Sequence, residues 1–259
     1  MRIGDRALIP CWSQPALHIG RFTLYSHGIL LALGAIVSSV IFVERAETFS
    51  FSKRAALRLV LFLAPIGLLA SHLTYSIFED RSSLLEPEGI SSLGGILACL
   101  FGLALFTVRR HESRWRCFDA AAYAGVFGAL IARLGCFLAH DRIGLSTSSW
   151  LSVKCFDGSR YDLALLEVVF LALALALLIC LKHQGWRPFE GMIFSVVAVS
   201  YGLLRLVLGQ LSEGTERYAG LLPEQFGAAI LVAAGACSWL MAKRNASEAS
   251  ALSFEKSRS

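Results

Sequence analysis

The sequence predicts an all-α polytopic membrane protein: a bundle of about seven transmembrane helices, with the N-terminus on the outer, periplasmic side and the C-terminus in the cytoplasm. Three observations predict it. Of the 259 residues, 56% are hydrophobic and 17% charged, more apolar and less charged than a soluble domain of this size. The apolar residues are grouped in runs that suit a hydrocarbon core of roughly 30 Å. The basic residues fall in short blocks between those runs, as topology determinants do.

The expected spans, in order, are Leu24–Val43, Ala56–Phe78, Leu93–Val108, Phe118–Leu138, Leu163–Leu181, Gly191–Leu211 and Leu221–Met241. The third is short and the fourth carries an arginine, so either is tilted or partly re-entrant. The first twenty residues are mixed in polarity, so the N-terminus is expected to be retained rather than cleaved as a signal peptide. With the N-terminus outside, fourteen Lys and Arg fall on cytoplasmic segments and eight on outer ones, while Arg133 and Arg205 lie inside spans. Arg45, Lys53, Arg54 and Arg58 form one cytoplasmic block, Arg109, Arg110, Arg114 and Arg116 the next, and Lys182, Arg187, Lys243, Arg244, Lys256 and Arg258 the rest. The positive-inside rule selects this orientation. Acidic Glu79, Asp80, Glu86, Glu88, Glu213 and Glu216 fall outside.

No polar stretch is long enough for a separate soluble domain, so residues 1–245 are expected to form a single membrane domain. The Ser- and Glu-rich segment 246–259 is expected to be a disordered cytoplasmic tail. The formal charge of +5 does not point to nucleic acid, because the basic residues are dispersed between apolar runs. The seven cysteines show no metal-ligand spacing. Cys99, Cys136, Cys180 and Cys237 fall in apolar runs and read as small packing residues. Cys11 and Cys155 fall outside, where an oxidising compartment permits a disulfide. Small residues such as Ala120, Ala121, Ala122, Gly125 and Gly128 suit close helix packing in lipid.

Ionisable groups in a span face the bundle interior or a wet cavity by default. Arg133, Arg205, Glu167 and His72 are the candidates, with His27 near the outer end of the first span. Tyr201 and Arg205 are four apart and share a helix face. Two interior arginines need anions. Glu167 supplies one as an internal ion pair, and Glu224 is placed to supply another. Alternatively an external anion such as a lipid phosphate occupies the guanidinium forks, which suit it.

These residues, taken in order, resemble prolipoprotein diacylglyceryl transferases along nearly the whole chain. Gly89–Gly95 resembles the family's Gly-rich approach to its third span. Phe118-Asp119, followed by Arg133-Leu134-Gly135-Cys136-Phe137 through Ala139-His140-Asp141 to Gly144, resembles its signature segment. Leu165-Leu166-Glu167, Tyr201 to Arg205, and Gln225 resemble its later motifs. The departures are Leu93 for a histidine, Cys136 and Ala139 for asparagines, Asp141 for a glutamate, Gly209 for a glutamate and His72 for an arginine. The first-span His-x-Tyr appears exchanged as Tyr25-Ser26-His27.

The resemblance implies transfer of a diacylglyceryl group from phosphatidylglycerol to a prolipoprotein's lipobox cysteine, in a bacterial inner membrane and without metal or organic cofactor. It implies catalytic roles for Arg133, Arg205, Tyr201 and His27. It places Arg133, Gly94, Gly95, Gly135, His140, Asp141, Gly144, Glu167 and Gln225 at the substrate. His140 is a second candidate base, although a hydrogen-bonded loop residue is its plainer reading. The glycines suit close helix packing as well as headgroup approach, Tyr201 packs or donates, and Gln225 is equally a polar contact between helices. The departures keep a second function open, a relative that binds lipid or lipoprotein without chemistry. A transporter is disfavoured, because no pair of Gly- or Pro-broken helices shows inverted symmetry.

Overall fold

The computed structural model describes residues 9–12, 14–19, 22–49, 51–78, 91–108, 114–150, 152–155, 158–186, 188–213 and 217–256. Its helices are α1 (Ser26–Glu44), α2 (Lys53–Phe78), α3 (Ser92–Thr107), α4 (Arg114–Ala139), α5 (Leu163–His183), α6 (Met192–Leu211) and α7 (Pro223–Lys256). Each overlaps an expected span. Six of them are long and apolar enough to cross a membrane. The seventh, α3, has 16 residues and a length of about 24 Å, short of the hydrocarbon core. Large apolar side chains on these helices remain exposed, among them Phe62, Phe101, Leu173, Val207 and Leu240, as a lipid-facing surface requires.

Among the described residues, six short strands lie outside the helices: β1 (Ile9–Pro10), β2 (Ala16–Ile19), β3 (Phe22–Tyr25), β4 (Ile143–Ser146), β5 (Ser152–Cys155) and β6 (Gly158–Asp162). The helical membrane class holds, and the strands are an addition that the sequence reading did not anticipate. Strands β2 and β3 form a hairpin leading into α1. The other four form a sheet ordered β1-β5-β6-β4, so the loop between α4 and α5 is a folded structure. Cys11 donates its amide to the Lys154 carbonyl at 3.1 Å. Its thiol is free, and the side chain of Cys155 lies outside the described residues.

The described residues group into two compact units. The first contains the N-terminal segment to Ser38, residues 124–186 and residues 207–215. Within it α1 and α4 meet through glycine. A Cβ on Gly34 would stand 2.5 Å from the Gly128 carbonyl oxygen, and one on Gly128 would stand 2.7 Å from that of Gly34. The sheet adds an ion pair from Arg160 to Glu213 at 2.5 Å, and Gly144 bridges to Ser212 just after α6.

The second unit holds residues 39–123, 187–206 and 216–259. Here α3 runs antiparallel along α2. Gly95 faces Gly67 and Ser71, while Gly102 faces Leu63 on the preceding turns. Pro65 is accommodated inside α2, as spanning helices tolerate. Helix α6 is capped from another helix, since Asp119 of α4 accepts hydrogen bonds from the amides of Gly191 at 2.7 Å and Phe194 at 2.8 Å. Ser195 and Ser238 join α6 to α7 at 2.8 Å. Helix α7 continues to Lys256. No glycine or proline interrupts residues 245–256, and Ala, Ser, Glu, Leu and Lys sustain a helix.

Residues 79–90, 109–113, 187, 214–216 and 257–259 lie outside the described residues. The expectations for Glu79, Asp80, Glu86, Glu88, Gly89, Ile90, Arg109, Arg110, Arg187, Glu216 and Arg258 fall there.

Candidate functional site

The first unit brings together most of the polar residues singled out in the sequence. Arg133 sits six residues before the end of α4, about 9 Å along the helix. Glu167 sits one turn into α5, just beyond the folded loop. Arg133 Nε donates to Glu167 Oε2 at 2.7 Å, and the Glu167 side chain is fully buried. A second guanidinium nitrogen, Nη1, donates to Cys136 Sγ at 3.5 Å. One arginine therefore joins α4 to α5 and orients a sulfur one turn along its own helix. Of the two readings of Arg133 left open by sequence, the resting structure takes the internal ion pair.

His27 stands beside this group as the second residue of α1. Its Nδ1 lies 3.8 Å from Asp141 Oδ2. Gly135 makes the approach possible, since a Cβ there would stand 3.1 Å from the His27 carbonyl oxygen and 3.0 Å from Leu30 Cβ. The start of α1 and the end of α4 therefore lie at one end of this unit.

Helix α4 ends on His140, whose backbone is left-handed at φ 47. The Asp141 amide donates to the Cys136 carbonyl at 3.4 Å, closing the helix end as such caps do. The turn directs the His140 ring onto Asp162. His140 Nδ1 donates to Asp162 Oδ2 at 2.7 Å, and both side chains are buried. The other Asp162 oxygen accepts from the Leu165 amide at 3.0 Å and caps α5. Trp12 stacks on His140 with ring centroids 4.5 Å apart, and its indole donates to the Leu138 carbonyl at 3.1 Å. His140 is thus buried and hydrogen-bonded in this structure.

Asp162 was missed in the sequence, although an aspartate just before an apolar run is a helix N-cap signal. Burial pushes its carboxyl pKa up, and hydrogen bonds from His140 and Leu165 pull it back in part. Gly144 lets the chain pass the end of α6, because a Cβ there would stand 2.5 Å from the Leu211 carbonyl oxygen.

The second unit holds the remaining residues. Arg205 Nη2 donates to Glu224 Oε2 at 2.5 Å. The Gln225 amide is consumed by backbone, accepting from the Leu222 amide at 2.9 Å and donating to the Leu206 carbonyl at 2.7 Å. It is a contact between α6 and α7. Tyr201 is buried one turn from Arg205. Gly94 and Gly95 serve helix packing, since a Cβ on Gly94 would overlap Thr74 and one on Gly95 would crowd Gly67. His72 is partly exposed on α2. Each interior arginine is matched by a glutamate of its own unit.

The prolipoprotein diacylglyceryl transferase family model matches residues 14–248. The chain is similar to the phosphatidylglycerol–prolipoprotein diacylglyceryl transferase of Bacillus cereus strain B4264, with 27% identity over 146 residues, or 53% of this chain and 54% of that protein. It is similar to proteins of the same name from Bacillus thuringiensis subsp. konkukian strain 97-27 and Bacillus anthracis strain CDC 684 / NRRL 3495. Each of these is 27% identical over 144 residues, covering 52% of this chain and 53% of the relative. The chain thus spans about half the length of the curated relatives it matches.

The Asp162 geometry makes a pH prediction. A carboxyl whose folded pKa is raised stabilises the fold below its ordinary value and loses that contribution as pH rises through the raised value. Asp162→Asn cannot ionise, so the fall in thermal stability of the native protein as pH rises above the ordinary carboxyl value of about 4 should flatten in it. Asp162→Ala should lower stability by about 1–2 kcal/mol through the lost cap alone, read by thermal unfolding in detergent.

Proposed function

The chain belongs to the prolipoprotein diacylglyceryl transferase family, and from that premise we propose that it moves a diacylglyceryl group from phosphatidylglycerol to the lipobox cysteine thiol of a prolipoprotein. It is a multi-pass membrane protein. The proposed setting is a bacterial inner membrane, with the N-terminus periplasmic and the C-terminus cytoplasmic.

The supporting observation is a guanidinium held by a buried carboxylate, 3.5 Å from a sulfur atom and beside a histidine–aspartate pair. In the proposed reaction the substrate sulfur attacks a glyceryl carbon, and the phosphate departs as glycerol phosphate. Negative charge grows on the departing phosphate. A guanidinium already oriented by Glu167 stabilises that charge without reorganising at the moment of reaction. In the second unit, Glu224 orients Arg205, with Tyr201 one turn away on the same helix, and both keep the catalytic roles that the family resemblance implies. The attacking species is the thiolate. His27, with Asp141 beside it, is the candidate to take the thiol proton.

A second reading, a relative that binds lipid without turnover, is favoured by Leu93, Ala139 and Gly209 in place of polar family residues. It is also favoured by the internal pairing of both arginines. The two separate by experiment. Native protein reconstituted in lipid should transfer label from phosphatidylglycerol to a lipobox-cysteine peptide. Arg133→Lys keeps the charge but loses the planar fork, and should slow transfer about 100-fold. No product from folded protein that still binds phosphatidylglycerol would overturn the transferase reading.

The orientation has its own test. A tag fused after the C-terminus should resist protease in intact spheroplasts and be cut in inverted membrane vesicles. The reverse pattern would reject the N-outside assignment.

A further inference from the structure

Among the described residues, His27, Cys136 and Asp141 place one ligand atom each within 4.8 Å of one another. The three come from the first turn of α1, the last turn of α4 and the second residue beyond α4. They meet because Gly135 lacks a side chain where the backbone of His27 passes. His27 Nδ1 is a buried atom with no hydrogen-bond partner, which is costly for an imidazole nitrogen unless something binds there. It faces Asp141 at 3.8 Å, a spacing that suits two ligands on one small cation.

We propose that His27, Cys136 and Asp141 form a zinc site, with a fourth, open position that receives the substrate cysteine thiolate. The thiolate part rests on the transferase reading, whereas the metal site does not. One imidazole, one thiolate and one carboxylate form a nitrogen, sulfur and oxygen set that zinc accepts readily. Three protein ligands with an open fourth position mark a reactive rather than a structural zinc.

The charges also agree. A thiolate and a carboxylate balance a dication, and the adjacent Arg133–Glu167 pair sums to zero. The Arg133 hydrogen bond to Cys136 Sγ at 3.5 Å then acts as the outer contact that orients a metal-bound sulfur. Exposure is graded in the expected way, since Cys136 is buried while the His27 and Asp141 side chains are 27% and 36% exposed. Substrate therefore approaches over His27 and Asp141.

The site answers a chemical need that the sequence leaves open. The position of a family histidine is Leu93, and that of a family asparagine is Cys136. A thiol that binds zinc loses its proton outright, and the proton passes to water at the binding step. The coordinated sulfur then forms a C–S bond to the glyceryl carbon. The C–O bond to phosphate breaks, and its electron pair leaves with glycerol phosphate. The metal is unchanged, and the thioether product, a weaker ligand, departs. His27 on this reading holds the metal instead of accepting the proton.

The test uses full-length protein in detergent, stripped with chelator and titrated with cobalt(II) as a spectroscopic substitute for zinc. The expected result is one equivalent bound with a sulfur-to-cobalt charge-transfer band. That band should be absent in Cys136→Ser. His27→Ala should bind more weakly by more than the roughly 10–100-fold that changes around a metal site cost. A lipobox-cysteine peptide should intensify the band, and its serine analogue should not. Size-exclusion profiles of the variants guard against misfolding. If native protein binds no cobalt or zinc, or binds equally well as Cys136→Ser, the site is overturned even where the protein transfers lipid. A bound metal whose spectrum ignores the peptide overturns the thiolate role. Metal binding by a protein that transfers no lipid would uphold the site and reject the transferase reading separately.

Discussion

The first unit depends on the ion pair between Arg133 and Glu167. Both groups lie within helices that face hydrocarbon on their other sides, and an isolated charge in such a place is strongly disfavoured. Each therefore constrains the other. Their 2.7 Å contact locks the register of α4 against α5, and with it the two ends of the folded loop between them. Arg133 carries that constraint on to Cys136, and through the end of α4 to Asp141 and His27. Breaking one side of a buried pair costs about 3–5 kcal/mol, because the remaining charge is stranded. The pair gives little net stability of its own. Its effect is to admit one arrangement of these helices and penalise the rest.

The second unit solves the same problem with Arg205 and Glu224, and uses the Gln225 amide to fasten α7 to the carbonyl of Leu206. In both units, helices approach through small residues, at Gly34 and Gly128 in the first and Gly94 in the second, since packing and hydrogen bonds drive association in lipid where hydrophobicity does not. The chemical consequence is that neither arginine awaits a ligand as a bare cation. Each guanidinium has its orientation fixed and its charge balanced by the glutamate of its own unit.

Much of this was legible in the sequence because its signals are local or energetically severe. Runs of apolar residues placed the helices, and the cost of a charge in lipid singled out Arg133, Arg205 and Glu167. The strands were not legible. They are two to five residues long, and β1 pairs with β5 across more than a hundred residues; such pairing leaves no periodic trace. The glycines of α3 were ambiguous until Thr74 and Gly67 were seen against them. His140 could not be assigned until the left-handed end of α4 aimed it at Asp162. Cys136 was read as a packing residue and a departure from a family pattern, yet it lies between Arg133, His27 and Asp141, where sulfur has chemical use.

The most direct measurement is a double-mutant cycle at Arg133 and Glu167, read by reversible unfolding in detergent. Arg133→Met and Glu167→Met should each destabilise severely, whereas the double substitution should recover to near native stability, since well-packed apolar residues replace a buried pair with little loss. A coupling of about 2 kcal/mol or more is the expected result. Effects that add to within about 0.3–0.5 kcal/mol, the behaviour of independent sites, would contradict the pair's place at the centre of the first unit.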